Sequence, residues 1–367
     1  MRTKNVQSSL DLSDVWGIPK ELVKRPDQYL QEGDILVSSA NSWNLIGKCC
    51  WVPPLAQKAT FGGFVSVLRP SPKHIEPRYL FRWFSSEPVQ TKLRSFGRQT
   101  TNISNLDLTR CAALEVPLPP IAEQRRIAAI LDEADALRVK RRAALAHLDE
   151  MARAIFVEMF GDVVSNSKKW DSSRVLGDVA DVASGITKGR KAPNAELRTV
   201  PYLAVANVQD HYLILDNVKH IEASDDEIER YRLRRDDLVL TEGGDPDKLG
   251  RGALWNDELP VCIHQNHIFR VRLTSPEIHP VFLNWLVGSP RGKTYFLRSA
   301  KQTTGIASIN MTQLRGFPLL IPPMAIQAAF VAHLEELRTT RDAADGAATA
   351  LDSLFASLQH RAFRGEM

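Results

Sequence analysis

Pro119-Pro120-Ile121-Ala122-Glu123-Gln124 returns as Pro322-Pro323-Met324-Ala325-Ile326-Gln327, at an offset of 203 residues. The same offset carries Gln99-Thr100-Thr101-Asn102-Ile103 onto Gln302-Thr303-Thr304-Gly305-Ile306. It carries Asp34-Ile35-Leu36-Val37 onto Asp237-Leu238-Val239-Leu240, and Gly47-Lys48 onto Gly250-Arg251. Pro77 falls on Pro280, Leu148-Asp149 on Leu351-Asp352 and Phe160 on Phe363, with no gap needed between Asp34 and Phe160. Two copies of so long a unit are two domain-sized modules, not a solenoid. Two similar but diverged modules suit a target made of two similar but different halves.

The Pro-Pro pair also marks a change of character. Residues 1–118 alternate short apolar runs with Gly, Pro, Ser and Asn clusters, which predicts strands and loops with one helix near 77–95. From Ile121 to Phe160 there is no Gly and no Pro. Apolar residues there fall at Ile127, Ile130, Leu131, Ala134, Leu137, Ala144, Leu145, Leu148, Met151, Ile155 and Met159, a stripe at helical spacing. Pro120 suits a helix entrance, because its missing N–H costs nothing there, and Gly161 suits a stop. Residues 163–318 again read as strands and loops. A second long helix follows Pro322-Pro323, with a stripe of Phe330, Leu334, Leu337, Ala344, Ala348, Leu351, Leu354, Phe355 and Leu358. Gly346 weakens its middle by up to about 1 kcal/mol relative to Ala.

Each helix is roughly 40 residues, hence about 60 Å long. One-sided helices of that length need a partner for the stripe, and each is the other's nearest candidate. The expectation is a mixed α/β chain with an internal pseudo-twofold repeat. Its parts are a first domain over 1–118, a helix over 119–162, a second domain over 163–320 and a helix over 321–367. The helices pair antiparallel as a spacer. Two ordinary core helices of one large domain are the plainer alternative, which the copy-for-copy repetition disfavours.

Composition sets the outer limits. A chain of 367 residues can bury two cores, and 44% hydrophobic content is that of a globular protein. No apolar run approaches the roughly 18 residues of a membrane span. No signal-peptide core follows Met1-Arg2-Thr3-Lys4-Asn5, so a cytoplasmic address with no membrane partner is expected. Cys49, Cys50, Cys111 and Cys262 lack CxxC spacing, which argues against a zinc site or disulfide framework. A net charge of +4 permits nucleic-acid binding without requiring it.

This organisation resembles the specificity (S) subunit of type I restriction–modification enzymes, over nearly the whole chain. The most specific stretch is Val116-Pro117-Leu118-Pro119-Pro120-Ile121-Ala122-Glu123-Gln124-Arg125-Arg126-Ile127, similar to the entrance of that family's central helix. Ala362-Phe363-Arg364-Gly365-Glu366-Met367 resembles the finish of its distal helix. Gly33-Asp34-Ile35-Leu36-Val37-Ser38 and Asp237-Leu238-Val239-Leu240-Thr241 resemble its strand leading into a DNA-facing loop. The resemblance implies two target-recognition domains, each reading half of a split asymmetric site in double-stranded DNA. It implies helices that set the spacing and dock two methyltransferase subunits, with restriction/translocase subunits assembled around them. The S subunit performs no chemistry. S-adenosylmethionine, ATP and Mg are implied for the complex, and no cofactor for this chain.

One departure concerns the first copy. Asn5-Val6-Gln7 matches Asn207-Val208-Gln209 at an offset of 202, and the second copy carries a further stretch before that point, from about Trp170 to Leu203. The first domain is therefore expected to be N-terminally truncated: either the true start lies upstream or that domain is impaired.

Candidate DNA contacts follow from position. Lys188, Arg190 and Lys191 form a cationic turn suited to phosphates, which position a protein without reading sequence. Asp245, Lys248 and Arg251 lie in a glycine-bearing loop after a strand, where Lys and Arg can reach phosphate or guanine and Asp can accept from cytosine. The first copy places Asn41 and Asn44 in the matching loop, with Lys48 matching Arg251. Arg98, Lys301 and Gln302 belong to strings kept in both copies, so phosphate or shared framework contact suits them better than discrimination. Solvated loops and capping turns are the plainer readings of each.

Other strings are rejected. Gly288-Ser289-Pro290-Arg291-Gly292-Lys293-Thr294 is one residue short of a Walker A loop, and its copy at Ser85-Ser86-Glu87-Pro88-Val89-Gln90-Thr91 has no glycine. Pro246-Asp247 lacks the Asp/Glu-x-Lys element of a nuclease. His264 and His267 lack a third metal ligand. No GxGxxG loop and no Asn-Pro-Pro-Tyr of an amino-methyltransferase is present. These gaps argue against an enzyme, and loops that diverge on a repeated frame argue against a coiled-coil interaction protein without DNA binding. An impaired S-like subunit reading one half-site is the remaining alternative. The purified chain is expected to show no methyl transfer, ATPase or nuclease activity. An activity that co-purifies and disappears with a point mutation in this chain would contradict that.

Overall fold

The computed structural model describes residues 1–71, 73–99, 103–191, 195–245, 248–303 and 306–366. The chain divides into two compact units, Met1–Leu145 with Ala343–Met367, and Ala146–Asp342. Each long helix is thus shared between the units, because each half packs on the core of its own unit.

In the first unit the elements are β1 (Ile35–Ser38), β2 (Ala40–Asn41), β3 (Cys49–Trp51), β4 (Val65–Leu68), α1 (Pro77–Phe84), α2 (Glu87–Ser95), β5 (Gly97–Gln99), β6 (Ser104–Leu106) and α3 (Leu108–Ala112). The long helix α4 (Ile121–Phe160) begins here. The main sheet is antiparallel, in the order β3-β1-β4. Successive side chains of a strand face opposite ways. Ile35 and Val37 therefore enter the core under α1 and α2, while Leu36 joins Val6, Cys50, Val52 and Val65 on the other face. Burial on both faces explains why β1 is apolar throughout. The expected single helix over 77–95 is two helices. Pro88 stands in the first turn of α2, and Ser86 Oγ donates to the Trp83 carbonyl at 2.6 Å, closing α1.

The second unit repeats the plan with additions. It takes the end of α4, then α5 (Leu176–Val179), β7 (Ala180–Ser184), β8 (Arg198–Leu203), β9 (Lys219–Ala223), α6 (Asp225–Tyr231), β10 (Leu238–Thr241), β11 (Gly243–Gly244) and β12 (Gly252–Leu254). There follow β13 (Ile263–His264), β14 (Ile268–Leu273), α7 (Pro280–Gly288), α8 (Pro290–Ser299), β15 (Lys301–Thr303), β16 (Ile306–Ser308), α9 (Met311–Arg315) and α10 (Met324–Ala362). The main sheet runs β12-β10-β14-β7. Here β10 takes the place of β1, and Leu238 and Leu240 point to one core while Val239 points to another. The Walker-like string is the α7–α8 junction. A Cβ at Gly292 would lie 1.8 Å from the Val287 carbonyl oxygen, so that glycine serves close helix packing.

The fourth strand separates the units. In the second, β7 covers the outer edge of β14, paired from Phe269↔Ser184 to Leu273↔Ala180. In the first, no strand pairs with that edge of β4 among the described residues. A mainly apolar cleft of about 500 Å³ lies there, lined in part by Leu68, Ile75, Phe84, Cys111 and Val116.

The helix seam is antiparallel within each unit. In the first, Ile127, Ala128 and Leu131 share a core with Phe355 and Ala362. Arg138 and Arg142 both donate to Asp352, at 2.5 and 3.2 Å, and the Arg138 guanidinium lies 4.3 Å over the Phe355 ring. In the second, Phe330 meets Phe156 and Phe160 at ring-centroid distances of 5.5 and 5.2 Å, and Arg341 pairs with Asp149. Lys168 Nζ donates to the carbonyls of Glu158 and Met159 at 2.7 and 2.9 Å, capping α4 beyond Gly161. The stripe is not buried throughout, since Leu137, Met151 and Leu354 are each about half exposed, at 48%, 50% and 51%. Phe330→Ala is therefore expected to cost about 3–5 kcal/mol. Leu137→Ala is expected to stay within roughly 0.5 kcal/mol beyond its small propensity change. Urea unfolding of the full chain measures both, and equal losses would contradict a seam anchored at its ends.

Candidate nucleic-acid interface

Two devices hold the loops that follow the central strands. At the head of each central strand a buried aspartate takes a bidentate arginine. Asp34 accepts from Arg69 Nε and Nη2, both at 2.7 Å, and Asp237 accepts from Arg272 Nε and Nη2, both at 2.7 Å. Each aspartate also accepts a backbone N–H, from Gln31 at 2.8 Å and from Arg234 at 2.7 Å. Hydrogen bonding to these carboxylates pushes both guanidinium pKa values further up. Such fork-to-fork pairs fix orientation as well as charge.

The second device closes the loop. Ser38 N–H donates to the Lys48 carbonyl at 2.8 Å, and Thr241 N–H to the Arg251 carbonyl at 3.0 Å. Each closure passes through a left-handed glycine, Gly47 at φ 79° and Gly250 at φ 76°. A Cβ there would press on Leu93 or Phe296, at 2.9 and 2.7 Å, so only glycine fits. Between these fixed ends the contents differ. The first loop carries β2, Ser42, Trp43 and Asn44; the second carries β11, Asp245 and Lys248.

Each loop is backed by a small antiparallel sheet, β2-β6-β5 or β11-β16-β15. Ala40 and Arg98 flank Asn105, and Gly243 and Lys301 flank Ser308. The structure thus brings Arg98 beside the Asn41 loop and Lys301 beside the Asp245 loop. Lys301 is exposed. Arg98 is 81% exposed and donates to Asp107 at 2.7 Å. That bond, with the Arg110 N–H ahead of it in effect, holds the Asp107 carboxyl below its usual range. Thr100, Thr101, Asn102, Thr304, Gly305, Pro246 and Asp247 lie outside the described residues, as does the side chain of Gln302.

Several predicted contacts sit differently from expectation. Asn41 Nδ2 donates to Ser38 Oγ at 3.1 Å, and Asn44 accepts from Ser42 Oγ at 2.8 Å, so both are tied within the loop. Asp245 and Lys248 pair with each other, which lowers the Asp245 pKa. Arg190 is not a free cation: it grips Glu227 through Nε and Nη2, both at 2.5 Å, and donates to the Glu222 carbonyl at 3.1 Å. Lys188 and Lys191 on the same turn remain exposed. Arg190 fixes their turn against α6.

Sequence reasoning missed Gln7 and Gln209. Lys48 Nζ donates to Gln7 Oε1 at 2.5 Å, and Arg251 Nη1 to Gln209 Oε1 at 3.1 Å. The two cations are therefore held alike in both copies. The Asn-Val-Gln match at offset 202 was the available signal.

His264 ends β13, while His267 lies in the turn before β14. His264 is fully buried, with Nδ1 at 3.0 Å from the Tyr231 carbonyl, and His267 is exposed. Among the described residues no group of three or more His, Cys, Asp or Glu is placed to hold a metal. No helix among them is long and apolar enough to cross a membrane.

Comparison with known proteins fits this geometry. Residues 5–146 match the family model described as the type I restriction modification DNA specificity domain. The whole chain is similar to the StySPI type I restriction enzyme specificity subunit of Salmonella potsdam, at 28% identity over 384 residues and 82% of that protein. It is similar to the EcoKI specificity subunit of Escherichia coli K12, at 25% identity over 383 residues and again 82% of that protein. A chain in a solved type I R-M system shares the fold at a TM-score of 0.59 and 17% identity, covering all of this chain and 91% of that one. The class these matches point to is that of non-catalytic specificity subunits. In particular, the chain is similar over its whole length to specificity subunits of type I restriction enzymes, with the matched family domain in its first repeat.

Burial pushes the His264 imidazole pKa down to about 4. Below its ordinary value of about 6.5 the unfolded chain takes a proton that the folded chain refuses. This contribution to stability is complete above that value and is lost as pH falls toward 4. The expected loss between pH 7 and pH 5 is about 2 kcal/mol. Urea unfolding of the parent and of His264→Gln at both pH values tests this, since the variant should show a smaller drop.

Proposed function

We propose that this specificity subunit reads a bipartite, asymmetric site in double-stranded DNA, one half through each unit. The paired helices dock two methyltransferase subunits, around which restriction/translocase subunits assemble in the cytoplasm. S-adenosylmethionine, ATP and Mg belong to those partners. One observation carries this reading: the loop closures of the two units share their hydrogen bonds and their left-handed glycines, while the residues they enclose differ. A kept frame with changed contents is what two unlike half-sites require. Exposed Leu137, Val139, Met151, Val157 and Leu354 give the helices apolar surface for partner subunits.

A second reading has its own support. The second unit carries two exposed cations, Lys188 and Lys191, on the turn after β7, which favours reading through the second unit alone. Mapping methylated bases in a host with and without the gene separates the two. A two-part motif that disappears with the gene supports the first, a single short motif the second, and an unchanged pattern refutes both. Lys188→Ala and Lys191→Ala should each lower the slope of log K against log salt by about 0.9, with equal losses on specific and scrambled duplexes.

A further inference from the structure

The units share one more junction, outside the loops already considered. Ser39 N–H donates to the Phe64 carbonyl at 3.0 Å, and Glu242 N–H to the His267 carbonyl at 3.0 Å. The carbonyls of these same residues are also matched. Ser39 accepts from the Leu106 N–H at 2.8 Å, and Glu242 from the Ile309 N–H at 2.9 Å. Three segments of each unit therefore meet at one point: the end of the central strand, the start of its neighbour, and the strand that backs the loop. The backbone there is the same in both units, and the side chains are not.

In the first unit the junction presents Ser39 and Phe64, and Phe64 is 64% exposed. Trp43, on the loop that leaves the same strand end, is 54% exposed. In the second unit Glu242 and His267 are paired, with Oε2 and Nδ1 2.7 Å apart, and their side chains are 32% and 57% exposed. A single exposed aromatic needs no explanation. Here the exposed pair sits on a duplicated backbone frame whose other copy bears a hydrogen-bonded polar couple. Packing needs cannot account for that change, because neither pair is buried.

We infer that residues 39 and 64 of the first unit, and 242 and 267 of the second, tell the two half-sites apart. The inference rests on the proposed function and names the residues that carry its specificity. The chemistry differs by unit. Phe64 and Trp43 offer apolar surface, which suits a thymine methyl or the face of a displaced base. An ionised Glu242 only accepts hydrogen bonds. In the major groove it fits the amino group of cytosine or adenine and is repelled by the acceptors of guanine and thymine. His267 holds that carboxylate in place from the neighbouring strand.

The test uses the full chain assembled with its methyltransferase subunits, and selection from a pool of randomised duplexes. Glu242→Gln keeps the side-chain shape but adds a donor. It should relax preference roughly tenfold at one base position of one half-site and leave the other half unchanged. Phe64→Ala should do the same in the opposite half-site. Thermal unfolding at the parent temperature verifies that each variant is folded. Unchanged preference at every position, or a loss of affinity equal on all duplexes, would overturn the inference while leaving the proposed function intact. A parent complex that selects no sequence at all would overturn the proposed function, and this inference with it.

Discussion

A buried glutamine at the entrance of each long helix fixes the rest of the structure. Gln124 accepts from the Glu76 N–H at 2.8 Å and donates to the Pro119 carbonyl at 2.8 Å. Gln327 accepts from the His279 N–H at 2.8 Å and donates to the Pro322 and Glu277 carbonyls at 2.7 and 3.0 Å. One amide thus satisfies the polar backbone groups where α1 or α7 begins and where the Pro-Pro turn enters α4 or α10. A buried amide left without partners costs more than an ordinary hydrogen bond contributes, so the geometry is strongly held. Each recognition core is tied in this way to the helix that leaves it.

On that common anchor the two units use different chemistry to reach similar packing. In the first, Arg82 in α1 donates to Asp132 and Asp135 of α4, at 2.6 and 2.9 Å, and Arg78 adds two more bonds to Asp132. Trp285 stands in the second unit where Arg82 stands in the first. It stacks on His211 at 4.5 Å and on Phe156 at 5.7 Å, with Phe330 at its edge. An ionic clamp and an aromatic cluster can each hold a helix on a core, so diverged sequences keep one frame. The Asp34–Arg69 and Asp237–Arg272 pairs were not exchanged in this way. Each sits where a strand must start in register, and the fork geometry specifies that start.

The same logic separates groups that hold the frame from groups left exposed. Arg190, Arg251 and Lys48 look alike in a list of cations, yet each has a partner within its own unit. Lys188, Lys191 and Lys301 are exposed, and Phe64, Trp43 and His267 stand out from the surface. A protein that neutralises phosphates needs the exposed kind, and one that reads bases needs them on a rigid support.

The sequence by itself determined the repeat, the mixed class and the two long helices. Those signals are local or periodic: an offset of 203, a Pro-Pro entrance, a stretch free of glycine and proline, and a stripe at helical spacing. Tertiary structure decided what lies between distant residues. Arg190 meets Glu227 only because the turn after β7 folds onto α6. Gln7 reaches Lys48 over a separation of 41 residues, and Phe64 comes beside Ser39 only when β4 pairs with β1. The stripe gave no sign that Leu137, Met151 and Leu354 stay half exposed, because periodicity reports one face of a helix and not how far its partner extends along it. Side-chain partners set by strand pairing have no local signature, and so the site had to be read from the fold.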